Sequence, residues 1–197
     1  MSRAELEASL EVSLKSPLFL VTFHPETTGS VDVVEQTQEL LKALDQFSEA
    51  TVVMTRPNAD ARSKEIESLL TAFCERGSSH IFTSLGQQRY LSLLKLANVV
   101  VGNSSSGLIE AAAVQTPTVN IGDRQKGRLR GESVLDCHSC SESISLAIEK
   151  SLDSQWLDSL GGMSSPYGDG EASGRICKII EEVSLEGLTK KRFYDIP

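Results

Sequence analysis

The sequence predicts an α/β protein built on a doubly wound parallel sheet, and three features predict it. Short runs rich in Val, Ile and Leu alternate with longer stretches of helical periodicity, and polar residues cluster just after several of the runs. Helical crossovers between such strands produce a parallel sheet covered on both faces, with right-handed connections. At a typical ~150 residues per domain, the 197 residues fit one domain with appendages.

Residues 4–15 place Leu6, Leu10 and Leu14 four apart, a short amphipathic helix whose stripe needs cover from outside itself. Pro17 ends it. Leu18-Phe19-Leu20-Val21-Thr22-Phe23 is too short for a helix and lies between Pro17 and Pro25, as a strand buried on both faces should. The unit then recurs: helix 31–47, strand 51–55, helix 61–76, strand 80–83, helix 87–97, strand 98–102, helix 107–115 and strand 117–121. The sheet is therefore expected to be Rossmann-like. Glycines and serines make 161–174 a long loop, and a last helix covers about 171–183. Residues 1–16 are expected to form a junction helix, 17–185 the ligand-binding domain, and 186–197 a basic and aromatic tail that needs a docking partner to be ordered.

Composition narrows the partners. Hydrophobic residues at 40% and charged residues at 23% are ordinary for a globular chain, and a net charge of -8 argues against nucleic acid and anionic membrane while permitting a local basic pocket. No apolar run reaches the ~18 residues of a membrane span and no signal peptide is visible, so a cytoplasmic protein is expected. Cys74, Cys137, Cys140 and Cys177 are read as free thiols. The C-x-x-C spacing of Cys137 and Cys140 lacks the second ligand pair of a zinc site.

Ligands of doubly wound sheets bind beyond the carboxyl ends of the strands. There stand His24, then Arg56-Pro57-Asn58-Ala59-Asp60, then Asn103-Ser104-Ser105-Ser106-Gly107, then Gly122-Asp123-Arg124. The segment 103–107 joins a strand to a helix with small residues whose N–H and hydroxyl groups can approach an anion; the same serines could simply cap the helix. It is neither a Walker A loop nor a dinucleotide fingerprint. Glu110 follows in the next turn, where a carboxylate can accept from ribose hydroxyls or merely complement the helix start. Arg124, Lys126, Arg128 and Arg130 put four cations in seven positions, a loop suited to a diphosphate or a solvated basic turn. His24 could donate to a phosphate or move a proton. His80 and His138 are given no role.

Together, Thr22-Phe23-His24-Pro25, Pro57-Asn58-Ala59-Asp60, Gly102-Asn103-Ser104-Ser105-Ser106-Gly107 with Glu110, and Asn120-Ile121-Gly122-Asp123-Arg124-Gln125-Lys126-Gly127-Arg128 resemble the C-terminal half of UDP-N-acetylglucosamine 2-epimerases. Non-hydrolysing members typically carry Arg-Arg-Glu-Asn after the histidine and a Ser-Gly-Gly cradle. Pro25-Glu26-Thr27-Thr28 and Ser104-Ser105-Ser106-Gly107 instead resemble the hydrolysing type, which makes N-acetylmannosamine for sialic acid and related sugars.

The resemblance implies the second, nucleotide-binding domain of a GT-B fold. It implies that Ser104 and Ser105, with Ser106 and Gly107 of the same cradle, hold the diphosphate and that Glu110 holds the ribose. Arg124 and His24 would face the phosphates, supported by Lys126 and Arg128. Leu85 and Tyr90 would meet the uracil, and Asn58 would complete the UDP site. UDP or UDP-N-acetylglucosamine is the expected ligand, and no cofactor or metal is required. The acid and base carboxylates come, in the family, from an N-terminal domain, which is the expected partner. The oligomeric state is left open, a homo-oligomer included. Two other readings share the fold: the nucleotide-binding half of a UDP-sugar glycosyltransferase, and a non-catalytic nucleotide-binding module.

Overall fold

The computed structural model describes residues 1–26, 32–59, 61–161, 165–187 and 190. Two compact units divide the chain, Met1–Tyr167 and Gly168–Pro197. In the first, six parallel strands, β1 (Leu18–Thr22), β2 (Thr51–Thr55), β3 (Ser79–Phe82), β4 (Val99–Gly102), β5 (Thr118–Ile121) and β6 (Val134–Cys137), form one sheet in the order β3-β2-β1-β4-β5-β6. This is the doubly wound order expected from alternating strands and helices, with the reversal of direction between β1 and β4.

Strand periodicity sends neighbouring side chains to opposite faces. Phe19 and Val21 of β1, Val52 and Met54 of β2, and Val99 and Val101 of β4 belong to one core cluster. Against it pack α2 (Val33–Asp45), α3 (Ser63–Cys74) and α7 (Ser141–Leu152), contributing Leu40, Leu44, Ile66, Leu70, Ile144 and Ile148. Leu18, Leu20, Val53 and Val100 join the other cluster, with Leu93 and Leu94 of α4 (Gly86–Leu96). Each face thus buries an amphipathic helix layer, which is why the strands read as continuous apolar runs.

α1 (Arg3–Leu10) begins with a capping box between Ser2 and Glu5 and ends four residues before Leu14, shorter than the expected 4–15. The leucine stripe has its cover within the chain: Leu6, Leu10 and Leu14 are buried at 0%, 5% and 3% exposure in the cluster that holds α4. The stripe therefore does not itself call for a second domain.

Two elements beyond the expected ones close the sheet. β6 is an edge strand of half-exposed residues, so it lacks the continuous apolar run that marks a buried strand. α7 returns across the sheet, and Glu39 of α2 accepts its first backbone N–H, from Ser141, at 2.9 Å. The Lys42 ammonium and the Ser141 groups hold the Glu39 carboxyl down at about 2, so this cap stays charged well into acid. α8 (Ser154–Ser159) follows, capped by Asp153. The expected helix 107–115 is instead two short turns, α5 (Ser105–Leu108) and α6 (Glu110–Ala113), divided at Ile109.

In the second unit, α9 (Ala172–Glu182) matches the expected last helix and carries Ile176, Ile179 and Ile180 at exposed positions. Most of the predicted tail, from 191 onward, lies outside the described residues, as do Asp60 and the segment with Thr27 and Thr28.

One glycine fixes where β1 and β4 end. Gly102 has φ +142°, and a Cβ there would stand 2.0 Å from the Thr22 carbonyl oxygen across the strand pair. Gly102→Ala is expected to lower stability by at least about 2 kcal/mol, read as a lower urea midpoint, because both the backbone conformation and the contact are lost to it. Gly77→Ala, with nothing within 4 Å of its added Cβ, should leave the midpoint in place.

Candidate functional site

The carboxyl ends of β1, β4 and β5 are tied together by one buried residue, through its side chain and its backbone carbonyl. Asn103, 1% exposed, follows β4. Its side-chain oxygen accepts the His24 backbone N–H at 2.8 Å, and its amide donates to the His24 carbonyl at 2.9 Å. Its own carbonyl accepts from the Gln125 amide at 2.7 Å and from the Arg124 guanidinium at 3.1 Å. The loops after three neighbouring strands are thereby fixed relative to one another at the switch point of the sheet.

His24 is buried beside this junction at 7% exposure. The Asn58 backbone N–H donates to His24 Nδ1 at 3.2 Å. A ring nitrogen that accepts a hydrogen bond carries no proton, so the neutral imidazole is held as the Nε2–H tautomer, a donor. Asn58 therefore acts through its backbone, setting the face that the histidine presents.

A cavity of about 560 Å³ opens here, and His24, Asn58, Leu85, Tyr90, Ser104, Ser106 and Glu110 all line it. Leu85 is a buried apolar wall at the start of α4. The Tyr90 hydroxyl lies 2.5 Å from the Ser106 hydroxyl and also bonds Thr22, whose own hydroxyl accepts from Thr55 at 3.0 Å. Burial pushes the Tyr90 phenol above its ordinary value, keeping it protonated at neutral pH. A hydroxyl chain thus runs from β2 through β1 to the serine loop. Tyr90 meets that loop by its polar end, while the expected uracil contact would use the ring.

Within the loop, Ser104 accepts the Ser106 backbone N–H at 3.4 Å, so the capping role is real, and its own O–H remains a donor. Ser105 is half-buried and outside the cavity lining. Gly107 seats the turn on β5: its carbonyl accepts from the Thr118 hydroxyl at 2.8 Å, and a Cβ there would come within 2.7 Å of Thr118 Cγ2. With α5 only 4 residues long, the loop offers local N–H and hydroxyl donors rather than the dipole of a long helix. Glu110 opens α6 on an exposed turn at the cavity rim.

The basic loop does not converge as one clamp. Arg124 alone joins the Asn103 junction. Lys126 pairs with Asp123 at 3.4 Å, Arg130 pairs with Asp136, and Arg128 is exposed. Asp123, just after β5, and Asp136, on β6, pair with two of the four cations. Sequence reasoning did not single out Asn103, Gln125, Thr22 or Thr55. Asn103 stood inside the quoted motif, but its double bond to the His24 backbone shows only in three dimensions.

The chain matches the UDP-N-acetylglucosamine 2-epimerase family over residues 1–181 and belongs to it. Among curated relatives, the GDP/UDP-N,N'-diacetylbacillosamine 2-epimerase (hydrolyzing) of Campylobacter jejuni is 36% identical over 100% of this chain and 51% of its own length. Polysialic acid biosynthesis protein P7 of Escherichia coli is 35% identical over 100% of this chain and 50% of its own length. The chain thus spans about half the length of the curated relatives it matches. Among solved structures, the UDP-GlcNAc 2-epimerase of Methanocaldococcus jannaschii superposes with a TM-score of 0.69 at 18% identity, over 90% of this chain and 49% of its own. The Neisseria meningitidis enzyme, solved bound to UDP-GlcNAc, gives 0.67 at 15% identity, over 91% and 48%. These similarities establish the shared fold. No helix among the described residues is long and apolar enough to cross a membrane.

Asn103→Ala leaves the buried His24 N–H and carbonyl without their partners, at about 1–3 kcal/mol each. The expected outcome is a lower unfolding midpoint together with faster amide exchange at His24; an unchanged His24 exchange rate would deny the junction its role.

Proposed function

We propose that this chain binds the UDP moiety of a UDP-linked 2-acetamido sugar, as the C-terminal, nucleotide-binding half of a hydrolysing UDP-N-acetylglucosamine 2-epimerase. The observation that carries the reading is the single cavity that gathers His24, Ser104, Ser106, Glu110, Leu85 and Tyr90 in a chain belonging to this family. Two relatives, of Campylobacter jejuni and Legionella pneumophila, are named as hydrolysing epimerases. Uracil lies along Leu85 and Tyr90, ribose hydroxyls donate to Glu110, and the diphosphate rests on the serine loop, His24 and Arg124.

The reaction in this reading is elimination of UDP followed by addition of water, which inverts C2 and releases the free amino sugar. As the C1–O bond breaks, negative charge grows on the departing diphosphate. Donors already fixed in place, the His24 Nε2–H, the serine hydroxyls and the Arg124 guanidinium, favour that charge without reorganising at the moment of reaction. The acid and base groups at C2 and C3 belong to the other half of the enzyme, so the 197 residues alone bind UDP without full turnover.

Calorimetric titration with UDP, UMP and ADP tests the reading. UDP should bind in preference to both, and Glu110→Ala or Arg124→Ala should weaken it by more than ~1.4 kcal/mol, a factor of ten. Glu110 is exposed, so its truncation leaves the core intact. Equal affinity for ADP, or indifference to both substitutions, would contradict the assignment.

A further inference from the structure

Four of the hydroxyl side chains that line the cavity form a row across four elements: Thr55 at the end of β2, Thr22 at the end of β1, Tyr90 on α4 and Ser106 on α5. Thr22 and Thr55 are partners in the β1–β2 register, and their hydroxyls stand 3.0 Å apart. Tyr90 bonds Thr22 on one side and lies 2.5 Å from the Ser106 hydroxyl on the other. Thr22 is itself pinned, buried at 7% exposure, with its carbonyl accepting the Asn103 N–H.

The row has a direction. A hydroxyl carries one hydrogen, so it donates once while still able to accept. Thr55 donates to Thr22, which leaves the Thr22 hydrogen for Tyr90, the Tyr90 hydrogen for Ser106, and the Ser106 hydrogen with no taker in the row. Burial keeps the phenol protonated at neutral pH, so the Tyr90 link always has a hydrogen to give. Serines on other helices turn back onto the carbonyl four residues earlier, as Ser68, Ser92 and Ser145 do. Ser106 makes no such bond among the described residues; its oxygen is met by Tyr90 instead. With one lone pair taken by Tyr90, the Ser106 O–H is turned to the cavity that Ser106 lines. A phosphate offers acceptor oxygens, so a serine helps it when the O–H, and not a lone pair, faces it. Successive donation along a chain also polarises each hydroxyl, strengthening it by about 10–30% per bond.

We propose that Tyr90 is a positioning residue whose hydroxyl, fed by Thr55 and Thr22, aims the Ser106 O–H at the phosphates of the bound nucleotide. The inference rests on the UDP reading above and gives Tyr90 a second duty: its ring lies along the base, while its hydroxyl serves the other end of the ligand. Thr22 and Thr55 act through Tyr90.

Equilibrium titration of the full chain with UDP and with uridine, for the wild type, Tyr90→Phe, Ser106→Ala and the double variant, tests the row. Tyr90→Phe keeps the ring and loses the hydroxyl. UDP affinity should fall about three- to tenfold, and the ratio of UDP to uridine affinity should fall by the same factor, because the loss is confined to the phosphates. A merely structural tyrosine would weaken both ligands alike and leave the ratio in place. Ser106→Ala removes the donor altogether, so adding Tyr90→Phe to it should weaken UDP no further. Thr22→Val, which leaves the tyrosine and the serine untouched, should lower the same ratio by a smaller factor. If Tyr90→Phe binds UDP as tightly as the wild type, if it loses both ligands equally, or if its loss adds in full to that of Ser106→Ala, the row is overturned and the UDP reading stands. If UDP does not bind the wild-type chain, both fall.

Discussion

The two hydrogen bonds between the Asn103 side chain and the backbone of His24 are the constraint on which the site depends. A carboxamide carries its donor and its acceptor on separate atoms, so it can accept from the N–H and donate to the carbonyl of the same residue at once. Because its own carbonyl is simultaneously held by Arg124 and Gln125, neither the histidine nor the arginine can shift without disturbing the serine loop between them. The arrangement is possible only because Gly102 lets β4 approach the Thr22 carbonyl, which then accepts the Asn103 N–H at 3.2 Å.

The sheet supplies the rest of the preorganisation. Parallel strands with helices on both faces bring all their carboxyl ends to one edge, and the order reversal between β1 and β4 opens a crevice there. The cavity draws on α4 and the turn that starts α6, so Tyr90 and Glu110 reach it from helices seated on the Leu20 and Val100 face. Rigid elements thus hold polar groups that would otherwise lose entropy on meeting a ligand.

Much of this was legible in the sequence because burial on both faces writes itself as uninterrupted apolar runs: β1, β2, β4 and β5 were bounded to within a residue or two. β6 escaped because an edge strand half-exposed to solvent has no such run, and α1 read as needing a partner because periodicity reports an apolar stripe without saying what covers it. The histidine, the serine loop and Glu110 stand out by their places after strands and in a motif, whereas Tyr90 enters only through the family resemblance; His24, Ser104, Ser106, Glu110 and Tyr90 line one cavity. In the sequence the charge-rich loop suits a diphosphate or a solvated basic turn alike, because one-dimensional spacing counts cations but not the acids that pair with them, here Asp123 with Lys126 and Asp136 with Arg130. The hydroxyl chain through Thr55, Thr22 and Tyr90 joins residues from three elements and leaves no local signature.

The central claim is that the Asn58 N–H on Nδ1 holds His24 as the Nε2–H tautomer beside the serine loop, the form that the proposed UDP site uses. With only 3 histidines in the chain, long-range ¹H–¹⁵N correlation spectra resolve each ring and report its tautomer directly. The account predicts the Nε2–H tautomer for His24 at neutral pH, unchanged in form but shifted at Nε2 when UDP is added. A protonated Nδ1, or a His24 resonance that ignores UDP under conditions where UDP binds, would contradict it.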